Sequence, residues 1–332
     1  GQIRMGENDE YVSQNEPMAA QEEYKNPWET ISDSTTLAQA EQLLWANDIE
    51  ESAQNLEAAD YILQGMSAGP EAEAAQRELV HEQMYPEAEA VNHQASMNFY
   101  TFASQVWKQI GWQDHTKEDA VDAETDAMAK SLTGEEIALP FESEMLLKQI
   151  EADADLAQMY ADIRQQMVEQ MYDQAEEGNI TSDQLQGMKV VQAGFRILGA
   201  MAGRRQYQLP VETESGMKVV NLTMQTGGVE ARGITIRMAA GVHGMLQAQI
   251  RMDEAGTCTG EILGGSSEAN TWLAGQTDAF RELLAGSEYA DAAVALGESR
   301  TAARGTNGGA DTQKLCRAAI FFVKAMAKLT DI

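Results

Sequence analysis

Residues 234–263 read ITIRMAAGVHGMLQAQIRMDEAGTCTGEIL, and apolar side chains recur at every second position over much of this stretch. An alternation of this kind predicts β-strands with one buried face and one face in water. Three strands are expected, at 233–239, 246–252 and 257–263, with a hairpin turn at 253–256. The stretch therefore predicts an antiparallel sheet, around which the second half of the chain is built.

The sequence on both sides of this stretch supplies further elements. The same alternation predicts a strand at 218–224, and a further short strand is expected near 292–296. Apolar residues with helical spacing predict helices at 181–203, 268–285 and 311–329. Packing of these helices against the sheet would produce a small α+β domain.

The apolar faces of these elements identify the expected core. Leu246 and Ile250 share one face of their strand with Met252, and Trp272 begins the apolar stripe of the following helix. These side chains are therefore expected to be buried. Residues 297–310 hold four glycines and no aliphatic side chain larger than alanine, which predicts a mobile and dispensable loop.

The first half of the chain has the composition and the apolar spacing of helices. It is rich in Ala, Gln, Glu and Met, and the expected helices span 35–47, 52–64, 96–112 and 142–177. Ser34 is the expected N-cap of the first helix, and Gly65 is expected to end the second. The predicted fold class is α+β, with an all-helical N-terminal half followed by a small antiparallel sheet and its helices.

Charge divides the chain at the same place. Residues 1–187 hold 39 acidic and 8 basic side chains, a net charge of −31, whereas residues 188–332 hold 14 and 15, a net charge of +1. This step predicts an acidic helical domain at 1–187 and an α+β domain at 188–332, meeting near 180–190. The formal net charge of −30 repels polyanions, so neither nucleic acid nor an anionic membrane surface is an expected partner.

The sequence also bears on location. No apolar run approaches the roughly 18 to 20 residues that span a bilayer, so membrane insertion is not expected. The first 30 residues lack a basic start followed by an apolar core, so a cleavable signal peptide is not expected either. A cytoplasmic location is the prediction from these two observations.

Residues that could carry chemistry are few and scattered. The only two cysteines, Cys258 and Cys316, exclude a disulfide framework. They are interpreted as small buried side chains, and a single disulfide between them stays open. His81 and Glu82 begin a motif typical of zinc proteases, but Tyr85 occupies the position of the second histidine, so a zinc site is not expected.

A possible calcium loop is also weak. Glu151, Asp153 and Asp155 alternate as calcium ligands do, but the glycine that such a loop needs at its turn is missing. These carboxylates are interpreted as a solvated helix face. The sequence therefore predicts a non-enzymatic chain, with no catalytic, cofactor-binding or metal-binding residue and no cofactor.

The order of elements between 234 and 296 resembles the C-terminal domain of flagellar hook-length control proteins. In that family an alternating strand leads through a glycine-containing turn into a second strand, a hairpin, a third strand and a helix. The matching residues are Ile234, Ile236 and Met238 in the first strand, Gly244 in the turn, 246–252 in the second strand and 280–284 at the helix end. Ala240 or Gly241 stands where the family has a proline, and His243 replaces a leucine. The helical first half is similar to the front part of uncharacterised clostridial proteins that carry such a domain.

The resemblance implies a function in flagellar assembly. A member of this family is not an enzyme and leaves the cytoplasm through the flagellar type III apparatus. Its C-terminal domain would bind the cytoplasmic domain of an export-gate protein and switch the exported subunits from hook to filament, which controls hook length. Two other interpretations stay open: an acidic structural or adaptor protein that reuses the small α+β fold, and an enzyme whose site is assembled from distant residues.

Limited proteolysis tests the expected domain boundary. If the chain divides near 180–190, a protease should leave a stable fragment that begins between about 178 and 216, because linkers between domains are exposed. Mass spectrometry of the resistant fragment gives its first residue. Cleavage confined to 230–300 would contradict the predicted boundary.

Overall fold

The computed structural model describes residues 35–66, 97–114 and 143–331, except for 153–154, 179, 215, 228–229, 254 and 300–311. Within these residues the chain forms nine α-helices and one six-stranded sheet, with the sheet in the second half. The predicted α+β class is therefore confirmed. Most of the loop predicted at 297–310 lies outside the described residues.

Six helices precede the sheet. They are α1 (Leu37–Ala46), α2 (Ala53–Gln64), α3 (Phe99–Asp114), α4 (Ser143–Glu151), α5 (Leu156–Glu176) and α6 (Ser182–Gly203). Thr36 caps the start of α1, where its side chain accepts a hydrogen bond from the Gln39 main-chain N–H. The predicted N-cap at Ser34 is therefore wrong by two residues. Gly65 is the C-cap of α2, as predicted.

The helix predicted at 142–177 is in fact two helices. α4 ends at Glu151, and α5 begins after Asp155, whose carboxylate accepts a hydrogen bond of 3.2 Å from the Gln158 main-chain N–H. A short polar side chain that caps a new helix competes with continuation of the preceding one. This local competition explains why apolar spacing alone did not show the break.

Six strands form the sheet in the order of the chain. They are β1 (Gln206–Thr213), β2 (Gly216–Gly227), β3 (Glu230–Ala239), β4 (Met245–Met252), β5 (Cys258–Gly264) and β6 (Ala293–Leu296). Neighbouring strands are antiparallel except β5 and β6, which are parallel. All five predicted strands are confirmed.

The sequence does not predict β1. Both Gln208 and its neighbour Leu209 are fully buried, so this strand is covered on both faces and shows no polar alternation. Pro210 also argues against a strand in the sequence. An edge strand tolerates proline, because one of its sides has no ladder partner, and β1 lies at the edge of the sheet.

Helices complete the second half. α7 (Ser267–Ala274) and α8 (Thr277–Ala285) form the crossover that a parallel β5–β6 pair requires. The single helix predicted at 268–285 is therefore wrong, because Gly275 caps α7 and the chain restarts as α8. The last helix, α9 (Thr312–Thr330), packs against β3 and β4.

The core is one apolar cluster that draws on both halves of the chain. Leu246 and Ile250 are fully buried in it, which confirms their predicted position. The ring of Trp272 is only partly buried, so its predicted place in the core is wrong. It lies near the margin of the cluster and stacks on another aromatic ring, as described below.

Hydrogen bonds also join the two halves. The Gln208 side-chain amide donates to the Ile62 main-chain carbonyl at 2.9 Å, and the Asn221 amide donates to the Gly65 carbonyl at 2.9 Å. The outer face of the β1–β2 hairpin is thus covered by helices from the acidic half. α6 runs through position 187, and the domain boundary there stays a prediction.

Truncation of Ile250 tests the buried face of the sheet. Ile250→Ala removes part of a fully buried side chain and should lower the free energy of unfolding by about 2–5 kcal/mol. Urea denaturation measures the change. Gln247→Ala on the exposed face of the same strand is the control, and we expect it to shift the midpoint little. Equal effects of the two substitutions would contradict the assigned faces of β4.

Candidate functional site

Two fully buried tyrosines, Tyr100 and Tyr160, form a hydrogen-bonded pair. Both hydroxyls donate to the Gln208 main-chain carbonyl, Tyr100 at 2.6 Å and Tyr160 at 3.0 Å, and the two oxygens lie 3.1 Å apart. Burial raises the pKa of both hydroxyls well above the ordinary range, so both are neutral at physiological pH. These hydrogen bonds hold α3 and α5 against β1, so the tyrosine pair has a structural role.

Both cysteines are buried, and neither forms a disulfide. This confirms their interpretation as small buried side chains, and the disulfide left open above is not present. Burial raises the pKa of the Cys258 thiol to about 12. Because the thiolate is the reactive form, Cys258 is inert at neutral pH.

The other residues considered from the sequence have local structural roles where the structure describes them. Glu151 ends α4 and Asp155 caps α5, while Asp153 and the segment 81–85 lie outside the described residues. Among the described residues, no three His, Cys, Asp or Glu side chains are placed to hold a metal ion. No described helix has both the length and the apolar character needed to cross a membrane.

The face of the sheet opposite α9 presents polar side chains to solvent. Thr235 pairs with Gln249, Arg237 with Gln247 and Arg251 with Thr259 across neighbouring strands, and these six residues are here named the open face. Both arginines are exposed. Neither guanidinium forms an ion pair with a described residue. The open face is therefore polar, and the carboxylate of Glu261, which pairs with Gln249, lies on the same side of the sheet as the two arginines.

The turn between β3 and β4 carries an exposed apolar tip. Residues 241–244 form a short 3₁₀ turn, here named the docking turn, in which Val242 is 68% exposed. Gly244 has φ 75° and ψ −153°, a conformation restricted to glycine. The glycine that marked this turn in the sequence is thus required by the backbone.

An aromatic stack fixes the docking turn to α7. The rings of His243 and Trp272 lie 3.9 Å apart between centroids, with 9° between their planes. The stack places Val242 beside the end of the open face, where Arg237 pairs with Gln247. Sequence reasoning missed the contact, because the two rings are 29 positions apart in the chain and no pattern links them.

Comparison with protein-family models, curated proteins and solved structures finds no match to this chain. Evidence on function therefore comes from the residues of the docking turn and the open face. They offer a surface that suits docking of another protein: an exposed apolar tip, a partly buried aromatic pair and a polar margin.

Substitution of the tyrosine pair tests its structural role. Tyr100→Phe leaves Tyr160 as a donor to the Gln208 carbonyl and should cost about 0.5–1.5 kcal/mol of unfolding free energy. The double Tyr100→Phe, Tyr160→Phe variant removes both donors and should cost more than either single change. Urea denaturation measures each value. Tyr172→Phe, at an exposed tyrosine, is the matched control with little expected effect; a double variant no less stable than the control would contradict this role.

Proposed function

We propose that this chain is a non-enzymatic flagellar assembly protein that binds the cytoplasmic domain of a type III export gate through its α+β half. Such binding would control hook length by switching the class of exported subunits. The observation that carries the proposal is the order of elements from β3 to β6, which agrees with the order quoted for the family. The strand, turn, strand, hairpin and strand follow one another in that order, and two helices, α7 and α8, stand where the family has one.

The docking turn is the part of this half that best suits contact with a partner. Val242 offers apolar area that remains in contact with water in the free protein, and Trp272 and His243 form a rigid aromatic base beside it. Interfaces concentrate their binding energy in a few such residues within a polar margin. Arg237 and Gln247 at the end of the open face supply that margin.

Charge predicts how the binding should respond to salt. The second half of the chain carries a net charge of +1, so docking through it should depend little on ionic strength. Binding through the acidic half would instead be screened strongly, since the Debye length is about 8 Å at physiological salt. The acidic half would then serve as a spacer or an export segment.

The alternative is an acidic structural or adaptor protein without a flagellar role. The charge of −31 on residues 1–187 favours it, because a dense acidic surface attracts basic partners. This alternative predicts binding through the first half that is lost at high salt.

Calorimetry with a purified export-gate cytoplasmic domain tests the proposal. The full chain should be used, because helices of the first half cover β1 and β2. We expect a dissociation constant around micromolar, about −8 kcal/mol, that changes little between low and physiological salt. Val242→Asp should weaken binding at least tenfold, because it places a charge in the apolar contact.

The control is Trp45→Asp, which makes a similar change at an 80%-exposed side chain on α1. It should leave the affinity unchanged. Absence of heat at both salt concentrations would count against the hook-length-control function. Binding that is weakened by Trp45→Asp and abolished by salt would favour the acidic adaptor.

A further inference from the structure

The two edges of the sheet differ in how they are protected against a further strand. β1 contains Pro210, and α3 and α5 are held against it by the two tyrosines that donate to the Gln208 carbonyl. β6 contains neither proline nor a charged side chain, and within the described part of the chain it pairs only with β5. Proline and charge on an edge strand prevent another strand from pairing with it, so β6 lacks both of these protections.

Alternate residues of β6 direct their main-chain groups away from β5. The Gly297 N–H donates to the Ile262 carbonyl at 2.8 Å, and Ile262 is the partner of Leu296 in the parallel register. This bond fixes the pattern of the ladder, in which Ala295 and Gly297 turn toward β5 whereas Val294 and Leu296 turn outward. The main-chain groups of Val294 and Leu296 form no hydrogen bond with another described residue. The edge therefore presents two N–H donors and two carbonyl acceptors with the spacing of a strand.

Partly buried apolar side chains border this edge on the α9 side of the sheet. Val294 pairs with Gly260, where a Cβ would lie 3.0 Å from the ring of Phe322 on α9, so the Val294 side chain lies on that side. Tyr289 precedes β6, and its ring lies 5.4 Å from that of Phe321 between centroids. Val294, Tyr289 and Phe321 pack against the core cluster and are only partly buried. A strand added to β6 would cover this apolar margin with every second side chain.

Carboxylates at both ends of the edge bear on the kind of strand that fits. Asp291 precedes β6 and Glu298 follows it, and both side chains are exposed. If two copies of this chain paired antiparallel through β6, the two carboxylates would come close to each other across the pair, and like charges there are destabilising. The net charge of −30 on each copy adds to this repulsion. A different protein with basic residues at the ends of its strand would instead be attracted.

We propose that the free edge of β6 binds an extended segment of a partner protein as a seventh, antiparallel strand, in which apolar and polar residues alternate between basic ends. The main-chain groups of Val294 and Leu296 exchange hydrogen bonds with the segment. Apolar side chains opposite these two residues cover the margin at Tyr289 and Phe321. The inference does not rest on the export-gate proposal, because it uses a different part of the α+β half.

Hydrogen exchange of the full chain, followed by nuclear magnetic resonance, tests whether the edge is open. The Ala295 N–H faces β5 and should exchange slowly, whereas the Val294 and Leu296 N–H groups should exchange at least tenfold faster. Equal protection of all three at every protein concentration would show that the chain itself covers the edge, and would overturn the proposal. Protection of Val294 and Leu296 that grows with concentration would assign the edge to a second copy, and would also overturn it.

A peptide tests the pairing. The probe is acetyl-Lys-Thr-Val-Thr-Val-Thr-Ser-Lys-amide, whose valines take the places opposite Val294 and Leu296. It should slow exchange of these two amides at least tenfold at saturation and leave Ala295 unchanged. N-methylation of both valines removes the N–H groups that face β6 and should abolish binding, whereas N-methylation of the second and fourth residues alters N–H groups that point away and should preserve it. Equal binding of the two methylated peptides, or loss of binding in both, would overturn the strand pairing.

Charge reversal tests the basic ends of the segment. Asp291→Lys with Glu298→Lys should weaken binding of the lysine peptide at least tenfold, and this variant should bind instead a peptide with glutamate at both ends. Asp173→Lys with Glu176→Lys is the matched control, because it changes the net charge equally at exposed positions of α5. It should change the affinity less than twofold at physiological salt. An equal loss in both variants would show attraction to the total charge and would overturn the site.

Discussion

The fold depends on one main-chain carbonyl, that of Gln208 in the edge strand β1. Two buried tyrosine hydroxyls, from α3 and α5, donate to it, and the side chain of the same residue reaches the carbonyl of Ile62 at the end of α2. Three helices of the acidic half are thereby held against one strand. Inside an apolar cluster such bonds cannot be exchanged for water, so loss of a partner is costly.

This arrangement separates the roles of the two faces of the sheet. The inner face packs on α9, and the described helices of the acidic half cover the outer face at the β1–β2 hairpin. The outer face of β3, β4 and β5 stays open to solvent with its arginines and glutamines. The docking turn lies at the end of this open part. The surface available to a partner is thus set by how far the helices extend over the sheet.

The acidic half combines a solvated surface with a shared core. Its carboxylates are mostly exposed, while residues such as Leu56, Phe99 and Ile163 enter the same apolar cluster as the strands. The charge step near 187 therefore describes the surface of the protein.

Local pattern was sufficient for most elements. Local patterns predicted β2 to β6, helical spacing predicted five of the nine helices in the described residues as separate helices, and the glycine at 244 marked the position of the turn. It could not show the break after Glu151 or the split at Gly275, where a cap or a glycine competes with a continuous apolar stripe. It could not show β1 either, because a strand buried on both faces has no alternation to read.

The sequence by itself determined the fold class, the charge of the surface and the buried face of β4. Only the tertiary structure decided that His243 stacks on Trp272 and that Gln208 joins three helices. The physical reason is range. The spacing of apolar residues predicts which side chains share a face of one helix or strand. These contacts instead join residues that are far apart in the chain and meet only when the elements pack.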